Sequence, residues 1–228
     1  GLPGLAALAL TAALYHTLNH AAFKSLLFMG AGAVLHATHT RNMEELGGLI
    51  KRMPQTAVFF LIGSLAIAAL PPFNGFISEW LTFQALLLSF QVSAHTVNLI
   101  FTLGVAALAL TSGLAAACFV RAFGITFLAL PRGEPARHAR VVAWTMRAAK
   151  AVLALSSMVL GASPTLILAP LEATVFDLLG NHADMQFNLT AIVANGGFGW
   201  VAPLWIALGL VAFLMAIPLA LALLGANK

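Results

Sequence analysis

Charge is scarce in this sequence. Lys, Arg, Asp and Glu make up 8% of its 228 residues, about a third of the share usual in a soluble domain. Cysteine is nearly absent. Cys118 stands alone, so no disulfide framework, cysteine metal motif, Fe–S cluster or haem attachment is expected, and no cofactor on this chain. The apolar segments run on without alternation, which excludes a β-barrel. Nothing resembles a nucleophile–base pair or a phosphate-cradling glycine loop, which excludes the ordinary soluble enzyme classes. Initiator methionine and cleavable signal pattern are both missing from the start. Gly1 reads as mid-sequence, and the chain is expected to be a piece of something longer.

Apolar residues are abundant. They form 61% of the chain, and the mean hydropathy is +0.97. The expected fold class is all-α, a polytopic transmembrane helix bundle with one discontinuous helix. Apolar stretches fall at 4–37, 56–91, 97–130, 148–170 and 198–224. The first would be about 50 Å long as a helix, against roughly 30 Å of bilayer hydrocarbon, so it is over-long, tilted or broken. The second is interrupted at Leu70-Pro71-Pro72-Phe73-Asn74-Gly75-Phe76. Pro71 and Pro72 remove two backbone donors and Gly75 adds freedom, so the helix breaks there. A break at membrane depth persists only where protein or a water-filled cavity covers it. The halves 56–69 and 77–91 are each too short to span, and they read as one discontinuous crossing. Pro164 and Pro218 are placed to kink the last two spans. Residues 171–190 are mixed in character, as in a lateral or interfacial helix.

Loop charges agree with that count. The pI near 9.9 reflects short basic loops, not a nucleic-acid surface. Residues 39–54 carry Arg41, Lys51 and Arg52, and residues 131–150 carry Arg132, Arg137, Arg140, Arg147 and Lys150. Residues 171–197 carry Glu172, Asp177 and Asp184 with no Lys or Arg. Five crossings put both basic loops and Lys228 on one side and the acidic segment on the other. The positive-inside rule makes the basic side cytoplasmic. Residues 1–130 form one domain, and residues 131–228 add further C-terminal helices.

Ionisable residues inside these runs are the candidates for function. His16, His20 and Lys24 are four apart, so they share a helical face, each about 6 Å along the axis from the next. Lys24 lies well inside its run, where snorkelling serves poorly and a charge points to function. A buried lysine can load and release a proton. His20 and His16 on the same face suit a relay, with packed neutral histidines as the alternative. His36 extends the face, and His39 follows it towards the loop. A zinc site is disfavoured, because no third ligand is close and Lys24 repels the cation. Glu79 is the acidic residue within an apolar run. It follows the break, beside Ser78, where a helix N-terminus favours an anion; capping is the simpler alternative. Arg121 either snorkels or pairs with a carboxylate, and its role would be electrostatic. Thr17, Asn19, Ser25, Asn74, Ser78, Thr82 and Gln84 would hold water between charged positions or bond between helices.

The string His16-x3-His20-x3-Lys24-Ser25-Leu26-Leu27-Phe28-Met29-Gly30-Ala31-Gly32 resembles the antiporter-like membrane subunits of respiratory complex I, Mrp-type cation/proton antiporters and group 4 membrane-bound hydrogenases. Three further matches follow in order: Met43-Glu44-Glu45-Leu46-Gly47-Gly48-Leu49, Pro54, and Leu70 through Glu79. The resemblance is specific over 15–85 and weak after 130. It implies that Lys24 belongs to a central chain of buried charges in a proton path. It also makes Glu79 the charged residue of a discontinuous helix, lysine in some members and glutamate in others. Ser78-Glu79-Trp80-Leu81 looks most like the formate hydrogenlyase and hydrogenase-4 large membrane subunits. Members have a related preceding half with its own buried Glu and Lys; this sequence matches the C-terminal half.

The resemblance implies a proton-translocating subunit of a membrane redox complex. Its partners would be other membrane subunits, the bilayer and protons. An Mrp-type sodium/proton antiporter subunit is the related alternative. A structural membrane anchor with idle buried charges is the alternative from another class.

Overall fold

The computed structural model describes residues 2–88, 92, 94–183, 185–188, 191–194 and 199–223. Asp184 and Lys228 lie outside the described residues, as do the ends of the 77–91 and 198–224 segments. The chain is helical almost throughout. Helix α1 is Leu2–Thr38, a short 3-10 turn is Met43–Glu45, α2 is Leu49–Arg52, α3 is Pro54–Ile67 and α4 is Asn74–Leu88. Then come α5 His95–Phe127, α6 Glu134–His138, α7 Trp144–Ala162, α8 Thr165–Leu179 and α9 Pro203–Leu223. Between α8 and α9 the strands β1 Met185–Phe187, β2 Ile192–Ala194 and β3 Trp200–Val201 form a small antiparallel sheet. Its strands are two or three residues long, shorter than the runs over which alternation marks a strand.

Helix α1 is the axis of the bundle. Its 37 residues would extend about 55 Å, so it exceeds the hydrocarbon thickness without breaking. Leu8, Thr11, Ala12, Tyr15, Asn19, Phe23, Leu26, Ala33 and Val34 are buried. They recur at spacings of three and four, which is one helical face, and that face packs on α3, α4, α7 and α8.

Two apolar cores lie at opposite ends of the bundle. One joins Leu8 and Tyr15 to Ile77, Leu81 and Leu88 of α4, Leu168 and Val175 of α8, and Met185, Ile192 and Val201 of the sheet. The other joins Leu27 and Val34 to Leu49, Met53, Phe60, Phe127 and Val142. Phe23, Ala66 and Phe73 form a small cluster between them. Helix α3 starts in the second core and α4 ends in the first, so the pair is one broken crossing antiparallel to α1.

The break occupies residues 68–73. Ala69 sits at φ 51, and the Pro71–Pro72 peptide is cis. Gly75 is required at the restart: a methyl there would overlap the carbonyl of Ala66. Only glycine lets the first turn of α4 lie this close to the last turn of α3.

The basic loops share one end of the bundle. The Gly48 amide donates to the Leu128 carbonyl at 2.7 Å, and the Met43–Glu45 turn packs on α5 and α6. The 148–170 expectation needs its bounds moved. Helix α7 already begins at Trp144 and stops at Ala162, and α8 leaves it at 74°. Pro164 has no N–H to continue the ladder, so the bend falls there. Helix α8 therefore starts at Thr165 and is closed by Gly180, whose φ is 66, and Met185–Phe187 of the expected 171–190 helix is strand β1. Lys150, counted with the loop, lies inside α7 instead. Helix α9 runs through Pro218 as one element.

Candidate functional site

At the level of the break, between the two cores, side chains turn polar. Asn19 of α1 and Asn74, the first residue of α4, are both fully buried. Asn19 Nδ2 donates to the Asn74 carbonyl at 3.1 Å, and Asn74 Nδ2 donates to Asn19 Oδ1 at 3.1 Å. This reciprocal pair ties α1 to the restart of the broken helix. One turn later, the Ser78 hydroxyl donates to the Gly75 carbonyl at 3.1 Å. The same oxygen lies 3.1 Å from His16 Nδ1. The His20 ring is 5.8 Å from that of His16, and Phe23 stands edge-on to both, at 6.4 and 5.3 Å.

This arrangement has a definite chemical capacity. With its proton on Nδ1, His16 donates to Ser78, whose hydroxyl donates on to the Gly75 carbonyl. With the proton on Nε2, Ser78 turns and donates to Nδ1 instead. The hydroxyl thus has two hydrogen-bond settings, each matched to one tautomer of His16.

The remaining predicted residues are placed around this layer, not within it. Lys24 is half-buried, its Nζ 6.0 Å from the centroid of the Phe28 ring, a cation–π separation. Among the described residues it has no ion pair. Glu79 is half-buried and turns to α5, where it accepts a hydrogen bond from Ser112. Those two line a cavity of about 240 Å³ with Ala68, Ala69, Trp80 and Phe83. His36 and His39 are exposed at the basic end, around a cavity of about 410 Å³ shared with His138 and Arg140. Arg121 is exposed on α5. Pro71, Pro72 and Gly75 form the break itself. The structure thus brings His16 and His20 to the buried Asn74 and Ser78, but both histidines are exposed residues of α1, not buried ones, with Lys24 one turn further along α1 and Glu79 turned to α5.

Two residues escaped the sequence reading. Ser112 is one serine in an alanine- and leucine-rich helix, and nothing local marks it as the partner of Glu79. Lys150 carried a signal that went unread. It shares a face with Ala154, Ser157 and Gly161, at spacings of four, three and four, and all four are buried.

The family described as NADH:quinone oxidoreductase/Mrp antiporter, TM matches residues 2–117. Hydrogenase-4 component B of Escherichia coli (strain K12) is 50% identical over 152 residues, covering 67% of this chain and 23% of that protein. Formate hydrogenlyase subunit 3 of the same strain is 39% identical over 173 residues, covering 76% of this chain and 28% of that protein. The chain therefore spans about a quarter of the length of these relatives. A chain of the membrane-bound sulfane sulfur reductase, an archaeal respiratory membrane complex, shares the fold with a TM-score of 0.74 at 22% identity. That likeness covers 93% of this chain and 32% of the other. The matched residues carry α1, the broken pair and the polar layer between the cores, and by that match this chain belongs to the NADH:quinone oxidoreductase/Mrp antiporter family of transmembrane subunits.

Proposed function

We propose that this chain moves protons as part of an antiporter-like subunit of a membrane redox complex of the hydrogenase or dehydrogenase type. Lys24 is the central carrier, His20 and His16 are the relay, and Glu79 is the terminal exchanger on the broken helix. Ser78 and Asn74 bridge the relay to the break, and His36 and His39 lie on the same helix towards the basic end. Residues 1–130 conduct, and residues 131–228 add helices that cover the conducting part. The basic loops face the cytoplasm of a prokaryotic cell, and other membrane subunits cover the exposed faces. A cysteine placed at Arg137 should then react with an impermeant thiol reagent from the cytoplasmic side; reaction from the opposite side alone would reverse that orientation.

One observation carries the reading: the His16–Ser78 contact beside a helix break pinned by Asn19 and Asn74. Irregular backbone at membrane depth is stable only where protein or an internal cavity satisfies it. Here Ser78, whose hydroxyl bonds the Gly75 carbonyl, also meets the titratable ring of His16.

The test is charge neutralisation in the full-length protein. Lys24→Ala and Glu79→Gln should assemble normally and lower proton movement into vesicles by about tenfold or more. Normal pumping by both would leave the structural-anchor reading in place. The family description names Mrp antiporters as well, which supports sodium/proton exchange as the second reading. Transport that depends on sodium would decide for it.

A further inference from the structure

Helix α7 brings a second lysine into the bundle. Lys150 has no exposed surface, and its Nζ donates to Thr56 Oγ1 at 2.8 Å. That hydroxyl takes one of three ammonium N–H groups. Among the described residues Lys150 has no ion pair. We propose that Lys150 is a proton-loading residue, which feeds the polar layer at the helix break from the end of the bundle that carries the basic loops. The inference rests on the proton-translocating reading above.

Placement is the first argument. Lys150 lies about 9 Å from the start of α7, below the basic loops. Its buried face continues through Ala154 to Ser157, about 10 Å further along the axis. Ser157 is fully buried, and its Oγ has no hydrogen-bond partner among the described residues. A buried hydroxyl without a partner costs stability, so a structural role alone does not account for it. Four residues on, Gly161 lies against the break. A methyl there would overlap the Pro72 carbonyl and come within 2.7 Å of the Asn74 nitrogen. The stripe thus runs from the lysine to the backbone of Asn74, which already binds Asn19. Tyr15 donates to the Leu160 carbonyl at 2.6 Å and fixes that end of α7 against α1.

The residue type is the second argument. A clamp between α3 and α7 exists one turn earlier, where Arg147 Nη1 donates to Gln55 Oε1 at 2.9 Å near the rim. A buried cation adds little to such a clamp, because an apolar side chain of similar volume would hold the interface as well or better. What lysine adds is an exchangeable proton, which Arg147 does not release. In one cycle the ammonium gives its proton, by way of the Ser157 hydroxyl, to a neutral imidazole of His16 or His20 at the polar layer; the lysine becomes the amine and the ring the imidazolium. The amine then takes a proton from hydronium at the basic-loop end, leaving water. One proton moves, and no other bond changes.

The experiment uses the full-length protein in its complex, with Lys24→Ala as the reference. Lys150→Met and Lys150→Arg should both assemble and both lower proton movement by about tenfold or more. Methionine carries no proton, and arginine keeps its own. Normal transport by Lys150→Arg would show that a fixed charge suffices and would overturn the proposal. Normal transport by both variants, with Lys24→Ala impaired, would remove Lys150 from the route and leave the α1–α4 reading intact. Normal transport by all three would remove both. Failure of both Lys150 variants to assemble would make the lysine an anchor, and that also overturns the proposal.

Discussion

Helices α1 and α5 are 37 and 33 residues long, and both are apolar enough to cross a membrane. They are used in opposite ways. The most apolar stretch of α1 is 39% buried within the chain, and that of α5 is not buried at all. Helix α1 carries Thr11, Asn19 and Thr38 on its inward side, with their polar groups bonded inside the bundle. Helix α5 buries Thr126 and Phe127 at its far end, and its Ser112 bonds Glu79 beside the polar layer. Length and hydropathy mark both as spans. Which one becomes the packing axis depends on where small and polar residues recur along one face.

That contrast can be broken or sharpened by substitution. The largest effect is expected where backbones touch. Gly75→Val would overlap the Ala66 carbonyl and Gly161→Val the Pro72 carbonyl, whereas Gly113 of α5 has open space around it. The first two should lower stability by about 3 kcal/mol or more and deplete assembled protein. Gly113→Ala should stay within about 1 kcal/mol. Equal yields of the three in detergent extracts would mean that the backbone contacts at the break do not set the packed side of the bundle apart from α5.

A smaller loss is expected from Asn19→Leu. It removes the Oδ1 acceptor and the donor to the Asn74 carbonyl, leaving the buried Asn74 amide only the Asn19 carbonyl at 3.4 Å, a cost of about 1–3 kcal/mol. A lower thermal midpoint, partly recovered by adding Asn74→Leu, would confirm the reciprocal pair. An unchanged midpoint would remove the Asn pair as the tie between the helices.

The smallest effect belongs to α5. Ser112→Ala takes one donor from Glu79, worth about 1 kcal/mol. Transport should fall severalfold at most, with assembly unchanged. A loss as deep as that of Glu79→Gln would make α5 as integral to the route as α1.

Much of this arrangement was legible beforehand. Pro71, Pro72 and Gly75 announce the break because each has a backbone property no other residue supplies. The 4–37 run announces α1 because nothing in it interrupts a helix. Charge in the loops announces which segments share an end, and the Gly48–Leu128 contact joins them there. Other features were hidden for physical reasons. The bend at Ser163–Pro164 was expected, but its 74° angle depends on tertiary packing. The partner of Glu79 lies 33 positions away, a separation with no local pattern. Charge near a span edge usually faces water, which places Lys150 with the loop by sequence, and only the packing of α3 against α7 buries it.

The seat of Gly161 has a mechanical consequence. Three rods meet at one joint: α7 ends on the Pro72–Asn74 backbone, α4 begins there, and α1 is tied to the same point by Asn19. Helix α8 leaves this joint sideways, and Leu168 and Val175 lie against the sheet-capped end of the bundle. Tilting α4 at its origin would therefore bear on α1 and on the α7–α8 corner together, since all three are held at the same stretch of backbone.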